Sequence, residues 1–553
     1  MALPFRAVEM HGQRMWERSR VVQVLAFMRQ HGMNALVLHE SDLVHQLVYP
    51  RKYFDPYALW SDLPSRRGEN AIFNKRAYFE HLLRLAADAG IAVWINVKEI
   101  GFSDEVLALR PEVVKDGIVC PSEPFWTEYV TSKTEELFAD FPALAGMIVS
   151  FGSQESRASR VQNRCQCPLC RSEPLRDWYA RFIRALHEPA ARHGKRLAVR
   201  DFAYKPEDHA PLIDAVGAAH ADVIFCIKAM PHDFYITFPD NPAIGRLPRE
   251  QWVEYDVMGQ FFGWGVMPCL VLTDLRARMA HWERERVVGA IFRIEWERIN
   301  DLDCLDTLNE ANLLAAAALV SGEDVDATEV CRRWLAAHGR DVNAAAWLAE
   351  ILDATLPIVR HAAYIDDFVS ADNSMLPRSV ERAWWGMEVR DGLAAWDPRR
   401  RSDLDLDRAK TARYVQEKDH ALAAARALLS KLRNPAVVVD ADVRSFVEGQ
   451  FAHFELWVEG LVLAAKVCLY SRWLLQTNDP VGRDDLSSLS TALAQLDAYA
   501  SRARAVVEDS RVPHQVGMLV DHRRALDVVR EGREAERKVA ARIELAGTVA
   551  QAR

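Results

Sequence analysis

Short apolar runs alternate with amphipathic stretches along the first 320 positions of the chain. Strand-like runs fall at residues 5–10, 35–38, 92–97, 146–149, 197–202, 222–227, 251–258 and 289–294. Helical periodicity fills much of the space between them, at 18–30, 78–89, 128–139, 175–191, 211–218 and 282–287. Gly32, Gly90 and Gly194 stand where helices stop before the next strand, as C-terminal caps do. A second apolar run at 267–272 leaves the strand count around the seventh position open. Strand–helix alternation at this spacing predicts parallel βαβ units, and eight of them predict a (β/α)8 TIM barrel over residues 1–320.

Past residue 320 the period changes. Helical patterns cover 325–338, 342–363, 377–385, 406–432, 441–476 and 486–507, and a charged helix runs from 521 to the end. The only marked polar break is Pro398–Arg–Arg–Arg–Ser402. The chain is therefore expected to carry an all-α C-terminal domain over residues 321–553.

Composition narrows the function classes. Of 553 residues, 50% are hydrophobic and 27% charged, the balance of a globular protein too large for one core. A net charge of −9 gives no electrostatic reason to expect a nucleic-acid partner. No stretch reads as a membrane span, and the first twenty residues lack a basic-then-apolar leader, so a cytoplasmic protein without a membrane partner is expected. Nine cysteines in so long a chain do not form a disulfide scaffold. Phosphate-binding glycine loops, His-Glu-x-x-His and Gly-x-Ser-x-Gly are absent from the sequence.

In a parallel barrel the chemistry sits at the carboxyl ends of the strands. Those ends are rich in carboxylates and cations here. Leu144-Ala-Gly-Met-Ile-Val-Ser-Phe-Gly-Ser-Gln-Glu155 runs from an apolar strand through a glycine turn to an acid, which makes Glu155 the candidate general acid. Asp233 closes the sixth strand, and Asp233, Asp256, Glu254 and Glu295 are the carboxylates available as its basic partner. Glycoside hydrolysis needs such a pair, one acid with a raised pKa and one ionised group. Gln260, nearest the rim of the seventh strand, orients water or binds a hydroxyl but takes no proton. Arg200 and Lys228 either clamp a substrate carboxylate or neutralise nearby acids, and Arg293 shares a face with Glu295. Trp126, Trp264 and Trp296 are candidates to stack on sugar faces.

Read in order, these segments resemble glycoside hydrolase family 67, the α-glucuronidases. The likeness is carried by residues 89–97, by 141–155 with Glu155 at the general-acid position, and by Val199-Arg-Asp-Phe-Ala-Tyr204. It continues through Ile227-Lys-Ala-Met-Pro-His-Asp-Phe234, Glu254-Tyr-Asp-Val-Met-Gly-Gln-Phe-Phe-Gly263 and Asn309-Glu-Ala-Asn312. The family's N-terminal β domain has no counterpart, and its seventh-strand glutamate falls on Gln260. The resemblance implies an oligosaccharide substrate, a terminal sugar such as a uronic acid, inversion at the anomeric carbon and no catalytic cofactor. A neutral sugar, or a catalytically silent carbohydrate-binding barrel, are the alternatives.

Two further expectations stand apart. Cys165, Cys167 and Cys170 have C-x-C-x-x-C spacing, which suits a structural zinc whose fourth ligand is Cys120, a distant histidine or missing. The seven tryptophans Trp334, Trp347, Trp384, Trp385, Trp396, Trp457 and Trp473 offer the helical domain surplus aromatic surface, from which a homodimer is expected.

Overall fold

The computed structural model describes residues 2–40, 43–54, 72–151, 156–161, 165–203, 205–297, 300–390, 392–435 and 438–551. Eight parallel strands close into a barrel: β1 (Phe5–Met10), β2 (Ala35–His39), β3 (Ala92–Lys98), β4 (Gly146–Ser150), β5 (Arg196–Arg200), β6 (Ile224–Lys228), β7 (Gln251–Asp256) and β8 (Gly289–Arg293). Each pairs with its sequence neighbours, and β1 closes the ring on β8 with Phe5 opposite Gly289 and Glu9 opposite Arg293. Helices α1 (Arg18–Gln30), α2 (Ile72–Asp88), α3 (Pro124–Asp140), α4 (Leu175–Arg192), α5 (Pro206–Gly217), α6 (Leu272–Arg284) and α7 (Glu310–Val320) are the principal helices between and after the strands.

The lower interior is apolar and built on size contrast. Ala7, Ala35, Val37, Ile148, Ala198, Ile224, Cys226 and Ile291 leave room for the two indoles of Trp94 and Trp252. The Trp94 ring meets Trp252 edge-on at 4.9 Å, and Phe5 stacks flat on Trp252 at 3.6 Å. Glycines at the feet of two strands admit these rings: a Cβ on Gly146 would stand 2.4 Å from Trp94, and one on Gly289 would stand 2.3 Å from Trp252.

Two local features of the barrel have clear causes. The β6–β7 connection, residues 229–250, contains no helix; Pro231, Pro239, Pro242 and Pro248 break its pattern. The run at 267–272 is not a strand but a buried loop entering α6. Its backbone is satisfied by side chains of the Asn309-Glu-Ala-Asn312 segment. Asn309 accepts from Cys269 N at 2.9 Å and donates to Gly265 O and Met267 O at 3.0 Å each. Asn312 accepts from Val271 N at 2.9 Å and donates to Cys269 O at 2.8 Å. An irregular segment survives in a core only when its peptide groups are met in this way.

Beyond α7 the described residues are mostly helical, with a small hairpin of two two-residue strands, Tyr364–Ile365 and Phe368–Val369. The stretch Val342–Ala363 is long and apolar enough to cross a membrane by length and composition, yet it folds as two successive helices, Ala345–Asp353 and Thr355–Ala363, with most of its length buried. Helix Phe454–Gln476 is the axis of this part, flanked by Arg408–Arg433, Arg483–Val507 and His522–Gln551. Of the seven tryptophans behind the homodimer expectation, Trp334, Trp347, Trp384, Trp457 and Trp473 are buried within the chain, Trp396 is half-buried and Trp385 is exposed.

Replacing Gly289 with alanine forces a methyl group into the Trp252 ring. The expected outcome is a loss of about 1–3 kcal/mol, the usual range for overpacking, read as a lowered thermal midpoint. An unchanged midpoint would show that the indole shifts freely.

Candidate active site

Side chains at the strand ends continue the inward column above the apolar floor, and they are polar. The Arg200 guanidinium of β5 grips Glu254 of β7 with two hydrogen bonds, from Nε to Oε2 and from Nη2 to Oε1 at 2.7 Å. Arg200 Nη1 also donates to Ser150 Oγ at 3.2 Å, and Ser150 donates to Asn96 Oδ1 at 3.1 Å. Asn96 donates to Glu9 Oε2 at 3.2 Å, while His39 Nδ1 stands 3.2 Å from Glu9 Oε1. One network thus joins six of the eight strands. Burial acts to lower the Arg200 pKa, but the Glu254 carboxylate outweighs it and the guanidinium is held more firmly charged than usual.

Above this ring lie two phenyl faces with cations on them. Lys228 Nζ stands 3.8 Å from the Phe202 ring centre and 4.5 Å from that of Phe234, and Arg293 lies 4.3 Å over Phe234. Lys228 donates to Asp233 Oδ1 at 3.0 Å and to His232 O at 3.3 Å. His232 turns the chain with φ at 72°, a strained conformation for a residue with a Cβ, and aims the Asp233 carboxylate back at the lysine. Burial drives the Lys228 pKa down to about 8, with Asp233 as the main opposing influence. Burial acts to raise Asp233, yet Lys228, His232 and Arg293 together hold it below the usual carboxylate range. The Asp233 side chain is 21% exposed, so it is an ionised group that a ligand can reach.

Asp256 is used differently. Its carboxylate accepts from the backbone N–H groups of Met258, Gly259 and Gln260 at 3.0, 3.1 and 2.8 Å, tying the turn after β7. Burial pushes its pKa up, opposed by Arg293 at 3.6 Å. The turn presents Gln260, whose Oε1 accepts from Arg293 at 2.6 Å and whose Nε2 donates to Asn373 Oδ1 at 3.2 Å. Ser374 Oγ donates to Gln260 O at 2.9 Å and accepts from Gly263 N at 3.0 Å. Asn373 and Ser374 belong to the helical part, have φ of 51° and 65°, and are locked by Trp457 Nε1 donating to Ser374 O at 2.7 Å.

On the β1 side, His11 and His39 stack at 3.7 Å, and His11 Nδ1 donates to His39 O at 2.9 Å. Burial, reinforced by His39 and Arg293, drives His11 well below the ordinary histidine value. Its Nε2 stands 3.8 Å from Glu297, whose side chain is 38% exposed.

The expected site residues therefore divide. Glu155 lies outside the described residues. Asp233 stands at the mouth with Lys228 and Gln260. Glu254, expected as a base, is corrected to a buried structural partner of Arg200; the same pair removes Arg200 as a clamp for a substrate carboxylate, because its fork is already filled. Asp256 is corrected to a turn-holding group with three amide donors on its carboxylate. Glu295 is corrected as well: its carboxyl is buried against Gly12, finds no hydrogen-bond partner among the described residues, and is pushed by burial well above the usual range. Lys228 serves Asp233, and Arg293 serves Gln260 and Asp256. Trp126 is fully buried on α3 with Nε1 on Cys120 O at 2.9 Å, and it presents no face to a sugar. Trp264 and Trp296 are likewise buried, packed edge to face at 5.1 Å.

Sequence reasoning missed Glu9, His11, His39, Lys98, whose Nζ lies 5.0 Å from the Phe202 ring centre, and Asn373. The first four had a signal, since polar residues end or interrupt the first three apolar runs. Asn373 had none, because nothing in its neighbourhood points to Gln260, 113 residues earlier in the chain, which donates to it.

No protein-family model matches the chain, and neither does any curated protein. Among solved structures, a β-N-acetylhexosaminidase from Bacteroides fragilis NCTC 9343 is similar over 63% of this chain and 71% of its own, at 14% identity and a TM-score of 0.41. An exo β-N-acetylglucosaminidase of family GH20 from Vibrio harveyi is similar over 64% of this chain and 58% of its own, at 12% identity and a TM-score of 0.38. The catalytic domain of β-amylase from Paenibacillus polymyxa is similar over 53% of this chain and 92% of its own, at 9% identity and a TM-score of 0.32. These likenesses do not support family 67 in particular, and the barrel assignment stands on the strand order itself.

The Arg200–Glu254 pair makes a direct prediction. Arg200→Met leaves a buried carboxylate without its counter-charge and is expected to cost about 3–5 kcal/mol in stability. Adding Glu254→Leu is expected to recover most of that loss. Denaturation of the single and double variants checks both, and a double variant no better than Arg200→Met would refute the pairing energetics.

Proposed function

We propose that the chain is a glycoside hydrolase acting on the terminal sugar of an oligosaccharide. The observation that carries the reading is Asp233: a reachable carboxylate at the carboxyl end of a barrel strand, held ionised by Lys228 over two aromatic faces. In this reading Asp233 activates the water that attacks the anomeric carbon, and Glu155, placed by sequence after β4, delivers the proton to the leaving oxygen. Lys228 is a positioning residue, acting through Asp233. Gln260, fixed by Arg293 and Asn373, is placed to bind a hydroxyl.

The filled fork of Arg200 favours a neutral sugar over a uronic acid. A free carboxylate on the substrate would have to displace Glu254 from Arg200. A panel of aryl glycosides that includes α-glucuronides, glucosides, galactosides and N-acetylhexosaminides separates the two. Hydrolysis confined to a uronide would overturn the neutral-sugar reading, and binding without turnover of any member would overturn the enzyme.

Asp233→Asn is expected to lower kcat by roughly 10²–10⁴-fold, the range of general acid–base catalysis. Glu155→Gln is expected to harm natural glycosides far more than aryl glycosides whose leaving groups need little protonation. Full activity of either variant on natural substrate would remove that residue from the mechanism.

The pH profile supplies a separate check. Lys228 loses its proton as pH rises through about 8, so Asp233 loses its cation there and kcat/KM is expected to fall. Arginine does not titrate in this range, so Lys228→Arg is expected to move the alkaline limb upward while retaining measurable activity. An alkaline limb that stays in place would show that another group sets it.

A further inference from the structure

Away from the mouth, four cysteines meet. The sulfur atoms of Cys120, Cys165, Cys167 and Cys170 all lie within 4.8 Å of one another. Cys120 Sγ stands 3.4 Å from Cys167 Sγ and 3.5 Å from Cys170 Sγ. Four thiolates at zinc–sulfur distances of about 2.3 Å form a tetrahedron with edges of roughly 3.8 Å. The observed spacings match that figure and are far from the roughly 2.05 Å of a disulfide.

Backbone N–H groups face three of the four sulfur atoms. Cys120 Sγ accepts the backbone N–H of Ser122, Cys165 Sγ accepts that of Cys167, and Cys167 Sγ accepts that of Cys170 at 3.5 Å. Such N–H···S bonds disperse the charge that a tetrathiolate site gathers. Lys115, on the hairpin Val114–Lys115 with Ile118–Val119, lies close enough to Cys120 and Cys167 to interact with their charge. The outer groups are fixed in turn. Trp126 Nε1 holds Cys120 O at 2.9 Å, Trp178 Nε1 holds Pro121 O at 2.9 Å, and Arg160 reaches Ser122 Oγ, Cys170 O and Glu173 O.

We propose that Cys120, Cys165, Cys167 and Cys170 form a structural zinc site that clamps the connection after β3 to the connection after β4. The first connection supplies Cys120, just ahead of α3. The second supplies the other three, in the same connection that carries Glu155. All four positions are filled by protein, so the ion has no open coordination position and stays out of the reaction. Its role is to hold two rim connections in fixed relation without a large core of their own. This inference is independent of the glycosidase reading, since the metal is read out without substrate.

The test uses the full-length chain purified under reducing conditions. Elemental analysis is expected to find about one zinc per chain. Cys167→Ser and Cys170→Ser are each expected to lose it, with a lowered thermal midpoint. His220→Ala is the control, because His187, His220 and Asp222 form the other candidate metal cluster among the described residues, an exposed one; this variant is expected to keep its zinc. Cobalt(II) exchanged into the wild-type protein is expected to show the intense visible bands of a tetrahedral thiolate site, which decides the matter even where a cysteine variant fails to fold. Zinc-free protein that gives no thiolate–cobalt spectrum overturns the proposal. So does zinc retained in the cysteine variants but lost in His220→Ala, or recovery of the four cysteines as two disulfides.

Discussion

The hydrogen-bonded pair of Arg200 and Glu254 is the interaction on which the barrel mouth depends. In a closed parallel barrel every second side chain points toward the axis, and water does not follow it there. A charge in that position survives only if another meets it with good geometry. Arg200 and Glu254 meet that condition, bridging β5 and β7 above Cys226 of β6, and the remaining guanidinium nitrogen engages Ser150. From Ser150 the network runs through Asn96 to Glu9 and His39, so the polar layer is continuous around most of the ring. It rests on a dry layer of Trp94 and Trp252 and supports the layer where Lys228 and Arg293 lie on phenyl faces. The groups that face a ligand are thus held from below, and Asp233 is a carboxylate left within reach.

The helical part is not an appendage to this barrel. The chain leaving β7 is buried and irregular from Val257 to Val271, and each peptide group there needs a partner. Asp256 supplies the first turn, Asn309 and Asn312 supply the end, and Thr355 Oγ1 accepts from Leu270 N at 3.0 Å. Ser374 completes the middle by bridging Gln260 and Gly263. The strained backbone of Asn373 and Ser374 is offset by these contacts and by the Trp457 indole. The rim near Gln260 is therefore braced by the helical domain as well as by the barrel. The connection between β6 and β7 is fixed in a similar way, with Thr237 Oγ1 donating to Asp367 O at 2.7 Å.

Two further devices stiffen the rim. Arg14 and Arg20 join the β1 and β8 connections through Asp303 and Asp306, at 2.6–3.2 Å. The cysteine cluster joins those after β3 and β4. Both work by linking connections that are distant in sequence, where loop closure is costly and apolar area is scarce.

The eight strands, their order and the change to helices after residue 320 were legible in the chain, because period, length and glycine stops are local properties. So was the concentration of charge at strand ends, and the C-x-C-x-x-C spacing of three cysteines. What each charge does was not legible. Glu254, Asp256 and Asp233 look equivalent as residues at the ends of strands, yet one is buried against Arg200, one is spent on three backbone amides and one remains open beside Lys228. Register within the closed barrel decides this, since it sets which neighbour each side chain finds. Trp126 and five of the seven tryptophans of the helical domain offered the same ambiguity, and packing resolved it in favour of the core, while Trp385 stays exposed. Asn373 reaches Gln260 across the fold from a position that carries no local signal, and Cys120, one of three readings for the fourth ligand, meets Cys167 and Cys170 only in the fold. The sequence by itself determined the elements and their sequence of types; only the tertiary structure decided which polar groups neutralise one another and which are left to act, because that depends on distances between residues far apart in the chain.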